Sequence, residues 1–297
     1  MMESSRREFL CQVSSAAAAA ITTRVVTGAE KPNRSLSGVI GFTTGSLSYQ
    51  REKKILTALT LPKFVRDELG MKLIDFNTRW LTSSDEKYVR EVRGVAEEAG
   101  CFYTNLKVNH KFGDLYAKDA SDRRKAMTSA RQLILAARWL GARWIRFPVP
   151  RPVAETRTAT LSAHRELASI AKDHGVQLLV ENNGWMRSEP DSVASLVKII
   201  GSNAAPGPDT GNWNDNVRYE GIARSFPRAA TCDFKVFDLT KDGQHQKYDI
   251  KRCFDVAWKA GFRGPWALEH WNENLGEFAR EMRFLRDQLS KWIAEVE

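Results

Sequence analysis

An α/β protein of the (β/α)8 TIM-barrel class, folded as a single domain, is what this sequence predicts, and three observations predict it. Short β-prone runs alternate with amphipathic helical stretches from residue 38 onward, the pattern of a parallel sheet with helical crossovers. Eight such units fit in roughly 260 residues, the count and size of that barrel. Glycine closes several helical stretches just before the next strand, at Gly70, Gly100, Gly141, Gly175 and Gly261, where a helix end needs a left-handed residue.

The strands are placed at residues 39–43, 72–76, 102–108, 143–147, 176–181, 204–209, 230–236 and 265–269. Each is a short apolar or β-branched run bounded by glycine, proline or polar residues. Helices are placed at 54–69, 84–99, 121–140, 154–173 and 249–260, and 275–295 closes the chain. Their apolar residues recur at intervals of three and four, which gives each one face to lay against the sheet. A doubly wound open sheet is the competing architecture, but no Gly-x-Gly-x-x-Gly turn follows any of these strands.

Composition narrows the function classes. The 297 residues are 42% hydrophobic and 27% charged with a formal charge of +9, a soluble globular balance. Lysine and arginine are scattered among acids, and no basic-aromatic stacking motif is present, so a solvated surface is favoured and no nucleic-acid partner is expected. The four cysteines, Cys11, Cys101, Cys232 and Cys253, show no Cys-x-x-Cys spacing and read as small core residues. With no run of about 18 apolar residues, no stable membrane span is expected.

The first 29 residues read as an address. Ser4-Ser5-Arg6-Arg7-Glu8-Phe9-Leu10 leads into a weakly apolar, alanine-rich stretch that ends near Val26-Thr27-Gly28-Ala29. This resembles a twin-arginine signal peptide, with small residues at the cleavage region. The resemblance implies the twin-arginine export machinery as partner, a bacterial periplasmic destination, and a cargo that crosses already folded. Residues 30–37 then form a linker and residues 38–297 the barrel.

In a barrel, functional groups gather at the C-terminal ends of the strands. Glu181 ends the fifth strand, Asp209 the sixth and Glu269 the eighth, while Asp233 lies in the seventh; their separations of 28, 24 and 36 residues each span one βα unit. Neighbouring strands are neighbours in space, so the four carboxylates converge on one mouth. Carboxylates that close repel one another unless a cation or protons intervene. Hard oxygen donors suit Mg²⁺ or Mn²⁺ better than Zn²⁺. Any single one of these acids is equally well a helix cap or loop residue; the ensemble carries the reading.

These residues are similar to the xylose isomerase-like superfamily of sugar phosphate isomerases and epimerases, over roughly residues 38–295. Glu181-Asn182, the Asp209-x-Gly211 turn, Lys235 and Glu269 match that pattern, whereas Asn183, Asn212 and Asp233 stand where the family usually has histidine. The resemblance implies a divalent metal held by Glu181, Asp209, Asp233 and Glu269, with Glu181 and Glu269 as the proton-moving pair. Asn183 and Asn212 can hydrogen-bond a substrate hydroxyl but cannot shuttle protons. Asp233 serves either as a ligand or as a structural partner of Lys235 or a nearby arginine.

The chemistry this implies is isomerisation or epimerisation of a small-molecule sugar or polyol through an enediolate. Trp185, Trp213 and Trp271 follow strands five, six and eight and are candidate walls for a sugar ring, with core packing as the competing role. Arg146 and His110 follow strands four and three and are candidates for contact with substrate. His164 and His174 read as structural, and alternation along the eighth strand points His270 away from Glu269. A lyase or dehydratase acting on an oxidised sugar needs the same first proton transfer. An exported, non-catalytic carbohydrate-binding protein is the alternative outside enzymes, favoured by the three missing histidines. A metal-dependent endonuclease is disfavoured, since only five histidines occur.

Overall fold

The computed structural model describes residues 35–151, 157–240 and 243–297. The leader, most of the linker and the first residues of the helix expected at 154–173 lie outside the described residues. Eight parallel strands follow in chain order: β1 (Ile40–Thr43), β2 (Leu73–Asn77), β3 (Phe102–Lys107), β4 (Trp144–Arg146), β5 (Gln177–Val180), β6 (Ala204–Pro206), β7 (Cys232–Lys235) and β8 (Trp266–Glu269). Between them run α1 (Ser48–Glu52), α2 (Leu61–Asp67), α3 (Glu86–Glu98), α4 (Ala120–Leu140), α5 (Arg157–Asp173), α6 (Ser192–Ile200), α7 (Arg218–Ser225) and α8 (Ile250–Lys259), and α9 (Leu275–Val296) closes the chain.

The sheet order is β6-β5-β4-β3-β2-β1-β8-β7, as expected of sequential right-handed βα units. Its two edges meet through a thinner seam. Ala230 N–H donates to Pro206 O at 2.9 Å, Asp233 N–H to Pro208 O at 3.0 Å and Thr210 N–H to Asp233 O at 2.9 Å, and Asp209 and Asp233 form an isolated parallel bridge. The sixth strand is shorter than the expected 204–209. Pro206 and Pro208 carry no N–H, so they accept across the seam but cannot donate to a ladder.

Local chemistry sets the helix boundaries. Asp119, Asp249 and Asn274 cap α4, α8 and α9 by accepting backbone N–H groups of the first turn. All five punctuating glycines take positive φ, between 64° at Gly70 and 94° at Gly261. The single helix expected at 54–69 is corrected to a short α2: Pro62 occupies its first turn, the one helical position that tolerates a missing N–H, and Lys54 takes a φ of 55°.

Two apolar layers hold the structure. The larger lies between the sheet and its helices and includes Phe42, Ile74, Phe76, Leu106, Ile145, Leu178, Phe234 and Leu268. The second is small and fills the barrel's lower end with Leu36, Leu73, Trp144, Leu179 and Ala205. At about 1.5–3 kcal/mol for each fully buried large side chain, these layers supply the main stabilisation. The small layer lies below the polar residues at the strand ends. Cys101, Cys232 and Cys253 are free thiols inside the core. No helix among the described residues is long and apolar enough to cross a membrane.

Candidate functional site

Above the apolar floor, the inward positions near the strand ends turn polar. Glu181 directly follows β5, Asp209 lies just beyond β6, Asp233 sits within β7 and Glu269 ends β8. Glu181, Asp209 and Asp233 are buried, and each brings a carboxylate oxygen within 4.8 Å of the others. Glu269 joins them through Lys235, whose Nζ lies 2.5 Å from Asp209 Oδ2 and 3.4 Å from Glu269 Oε2.

Asn212 ties the two halves of this group together. Its Nδ2 donates to Glu181 Oε1 at 3.1 Å, and its Oδ1 accepts from Lys235 Nζ at 2.8 Å. The turn carrying it is held by Asp209 Oδ1, which accepts from the N–H groups of Gly211 and Asn212. Asn182 pairs reciprocally with the Asp209 backbone, donating to its carbonyl at 2.9 Å and accepting from its N–H at 2.7 Å. Gly211 is required by close approach: a Cβ there would lie 2.6 Å from both Lys235 Cδ and Tyr248 Oη.

Three cations face the acids. Arg146, at the end of β4, sets its Nε 2.9 Å from Glu181 Oε2 and donates from NH2 to Asn109 Oδ1 at 2.6 Å. The Nε–H makes no aligned hydrogen bond, so its attraction to Glu181 is mainly Coulombic. Lys107, the last residue of β3, pairs with Asp233 Oδ2 and donates to Thr43 Oγ1 at 3.1 Å; Asp75 Oδ2 is 3.6 Å away. With Asp75 included, five carboxylates face Lys107, Arg146 and Lys235, an excess of two negative charges when all are ionised.

Burial opposes charge on Asp75, Glu181, Asp209 and Asp233, and the neighbours decide the outcome. At Glu181 burial is the largest influence, yet Arg146, Lys107 and Lys235 together outweigh it and hold the carboxyl below its ordinary value. At Asp209 burial prevails over Lys235 and the carboxyl is pushed up to about 6. Asp233 is driven well above the usual range by burial, which Lys107 offsets only in part. Folded Asp209 thus holds its proton more tightly than the unfolded chain does. Its contribution to stability is complete below pH 3.8 and is lost as pH rises through about 6. Relative to Asp209→Asn, wild type is expected to lose on the order of 1–3 kcal/mol over that window, checked by urea denaturation of both proteins in chelated buffer.

The remaining sequence candidates divide. Glu181, Asp209, Asp233, Glu269, Asn212, Lys235 and Arg146 are brought into one network. Asn183 is exposed and caps its own turn, accepting from Gly184 N–H at 2.6 Å. His110 is exposed, its Nδ1 2.7 Å from Thr78 Oγ1. Trp185 is half-buried with its indole N–H on Val149 O at 3.2 Å, and Trp271 is 49% exposed. Trp213 is corrected from pocket wall to core: it is fully buried, and Gly221 lies so close that a Cβ would fall 2.5 Å from its ring. His270 points away from Glu269 toward Val236 O and Glu281 Oε2. Lys107, Asp75 and Asn105 escaped the sequence reading; their signal is a polar residue at alternate positions of strands otherwise buried on both faces.

A model of the xylose isomerase-like TIM barrel family matches residues 67–288, three quarters of the chain. The chain belongs to that family. Solved structures with the xylose isomerase-like fold agree in shape. One is a xylose isomerase-like TIM barrel protein from Mycobacterium smegmatis in complex with magnesium, 19% identical, with 88% of this chain and 99% of that one covered at a TM-score of 0.64. A second is an L-ribulose 3-epimerase, 16% identical, with 86% and 95% covered at 0.65. A third is a probable 3-DHS dehydratase from Bacillus anthracis, 14% identical, with 83% and 98% covered at 0.63. No curated protein matches the sequence.

The residues present fit a divalent cation by the chemistry of the donor set. Three buried carboxylates offer oxygens at a spacing that can hold one, and Asp233 Oδ1 is buried without a hydrogen-bond partner.

Proposed function

We propose that this chain is an enzyme that moves a proton beside the carbonyl of a small sugar or polyol, giving isomerisation or epimerisation. The observation that carries this reading is the joining of Glu181 and Glu269 through Asn212 and Lys235 in a single polar network at the strand ends. Glu181 is held ionised at neutral pH by Arg146 and its companions, so it is the base in waiting. It takes the proton from the carbon next to the carbonyl, and the electron pair moves onto the carbonyl oxygen as an enediolate. The Lys235 ammonium stands beside Glu269 and meets that developing charge. Return of a proton to the opposite face of the same carbon epimerises it; delivery to the former carbonyl carbon, with the neighbouring hydroxyl's proton passing to the former carbonyl oxygen, isomerises the sugar. Glu269, less enclosed than Glu181, is assigned this second transfer.

Glu181, Asp209, Asp233 and Glu269 would hold the divalent ion, Mg²⁺ or Mn²⁺ by donor type. When bound, such an ion supplies Lewis acidity toward neighbouring sugar oxygens. A second reading, a dehydratase, shares the first proton loss and then expels a β-hydroxyl as water; the structural likeness to a probable dehydratase favours keeping it.

The test is proton NMR of a panel of ketoses, aldoses and keto-sugars incubated with the protein in D₂O. Deuterium entering the carbon beside the carbonyl, lost on chelation and regained with Mn²⁺, supports the reading. Sugar binding that ignores chelator and exchanges no proton identifies a carbohydrate-binding protein instead.

Export through the twin-arginine machinery to the periplasm belongs to the same proposal, and the paired Arg6 and Arg7 support it. Replacing both with lysine is expected to leave a leader-fused reporter in the bacterial cytoplasm, read by cell fractionation.

A further inference from the structure

Lys107 is 6% exposed and reaches three other strands at once. Its Nζ is hydrogen-bonded to Thr43 at the end of β1, sits 3.6 Å from Asp75 in β2 and pairs with Asp233 in β7. Asp75 is steadied in turn by Asn105 Nδ2, 3.2 Å from its Oδ2. The ammonium is thus enclosed by two carboxylates and one hydroxyl. The effect on Asp233 is asymmetric. One carboxylate oxygen is committed to the ammonium, while Oδ1 is left buried with no partner.

Resting on the reading of the acidic centre as a divalent-cation site, we propose that Lys107, seated on Asp75, is a positioning residue: it fixes Asp233 by one oxygen and presents the other, Oδ1, to the metal. A buried carboxylate with neither oxygen held would be free to turn, and turning carries Oδ1 away from the site. The sign of the effect is diagnostic. Deleting a positive charge next to a cation site strengthens cation binding if charge alone matters, whereas deleting a positioning group weakens it.

The experiment measures Mn²⁺ affinity by electron paramagnetic resonance on the metal-stripped full chain, for wild type, Lys107→Met, Lys107→Arg and Asp75→Asn, with circular dichroism to check each fold. Lys107→Met is expected to bind Mn²⁺ roughly 10–100-fold more weakly, the usual loss when a group orienting a ligand is removed. Lys107→Arg keeps the charge and should recover most of the affinity with a wild-type spectrum; Asp75→Asn should weaken binding less than Lys107→Met. Equal or tighter binding by folded Lys107→Met, with wild type binding normally, overturns the positioning role alone. If Lys107→Met does not fold, unchanged affinity in Asp75→Asn overturns it. Absence of Mn²⁺ binding by wild type overturns the metal reading and this proposal with it.

Discussion

Glu181→Gln and Glu269→Gln are each expected to slow net conversion of the identified sugar by on the order of 10²- to 10⁴-fold, the contribution of a positioned acid or base. The amide is nearly isosteric and still hydrogen-bonds. At Glu181 it keeps Asn212 as a neighbour, and at Glu269 it keeps Lys235. The loss should therefore fall on kcat with little change in fold. The two substitutions need not fail alike. With Glu181→Gln the first proton transfer itself is lost, so deuterium entry should fall as far as net conversion does. With Glu269→Gln the first transfer stays possible, so exchange should outlast net conversion. Exchange and conversion rates measured side by side test the assignment; full turnover by both variants would falsify it.

Arg146→Met is expected to lower stability by about 3–5 kcal/mol, the cost of removing one partner of a buried ion pair. Arg146 is buried, and its guanidinium reaches Glu181, Asn109 and the Val108 carbonyl. Methionine fills much of the volume but leaves Glu181 with Lys107, Lys235 and the Asn212 hydrogen bond to offset burial, so its carboxyl rises toward protonation. Activity should then move to higher pH as well as fall. Urea denaturation gives the first effect, and the pH profile of proton exchange gives the second. A stability change under about 1 kcal/mol would show that Glu181 is better solvated than its burial indicates.

The barrel was legible in the sequence because its signals are local. Short apolar runs, amphipathic helices and a glycine at several left-handed helix ends are all written within a few residues of where they act. The acids were legible for a related reason: strand ends converge in any barrel of this kind, so Glu181, Asp209, Asp233 and Glu269 needed only correct strand placement. What pairs with them was not. Lys107 meets Asp233 across 126 positions of chain and Thr43 across 64, and nothing in the Asn105-Leu106-Lys107-Val108 run marks a lysine that spans the barrel. Trp213 shows the opposite failure. Its place after the sixth strand suggested a pocket wall, but the deciding partner is the bare backbone of Gly221, which opens a slot for the indole in the core. The helix at 54–69 is shorter than its apolar spacing suggests because of Pro62, whose ring allows a helix to start but not to continue through it.

The seam between β6 and β7 gives the arrangement of carboxylates a mechanical meaning. Glu181 and Asp209 belong to one margin of the sheet, Asp233 and Glu269 to the other, and the margins share a few backbone hydrogen bonds interrupted by Pro206 and Pro208 together with the contacts of Lys235 to Asp209 and Asn212. A ligand gripped by all four would act as a clasp on an otherwise loosely fastened collar. Recognition and closure of the barrel would then be one event, and the dry floor beneath would be sealed most firmly when the pocket above it is in use.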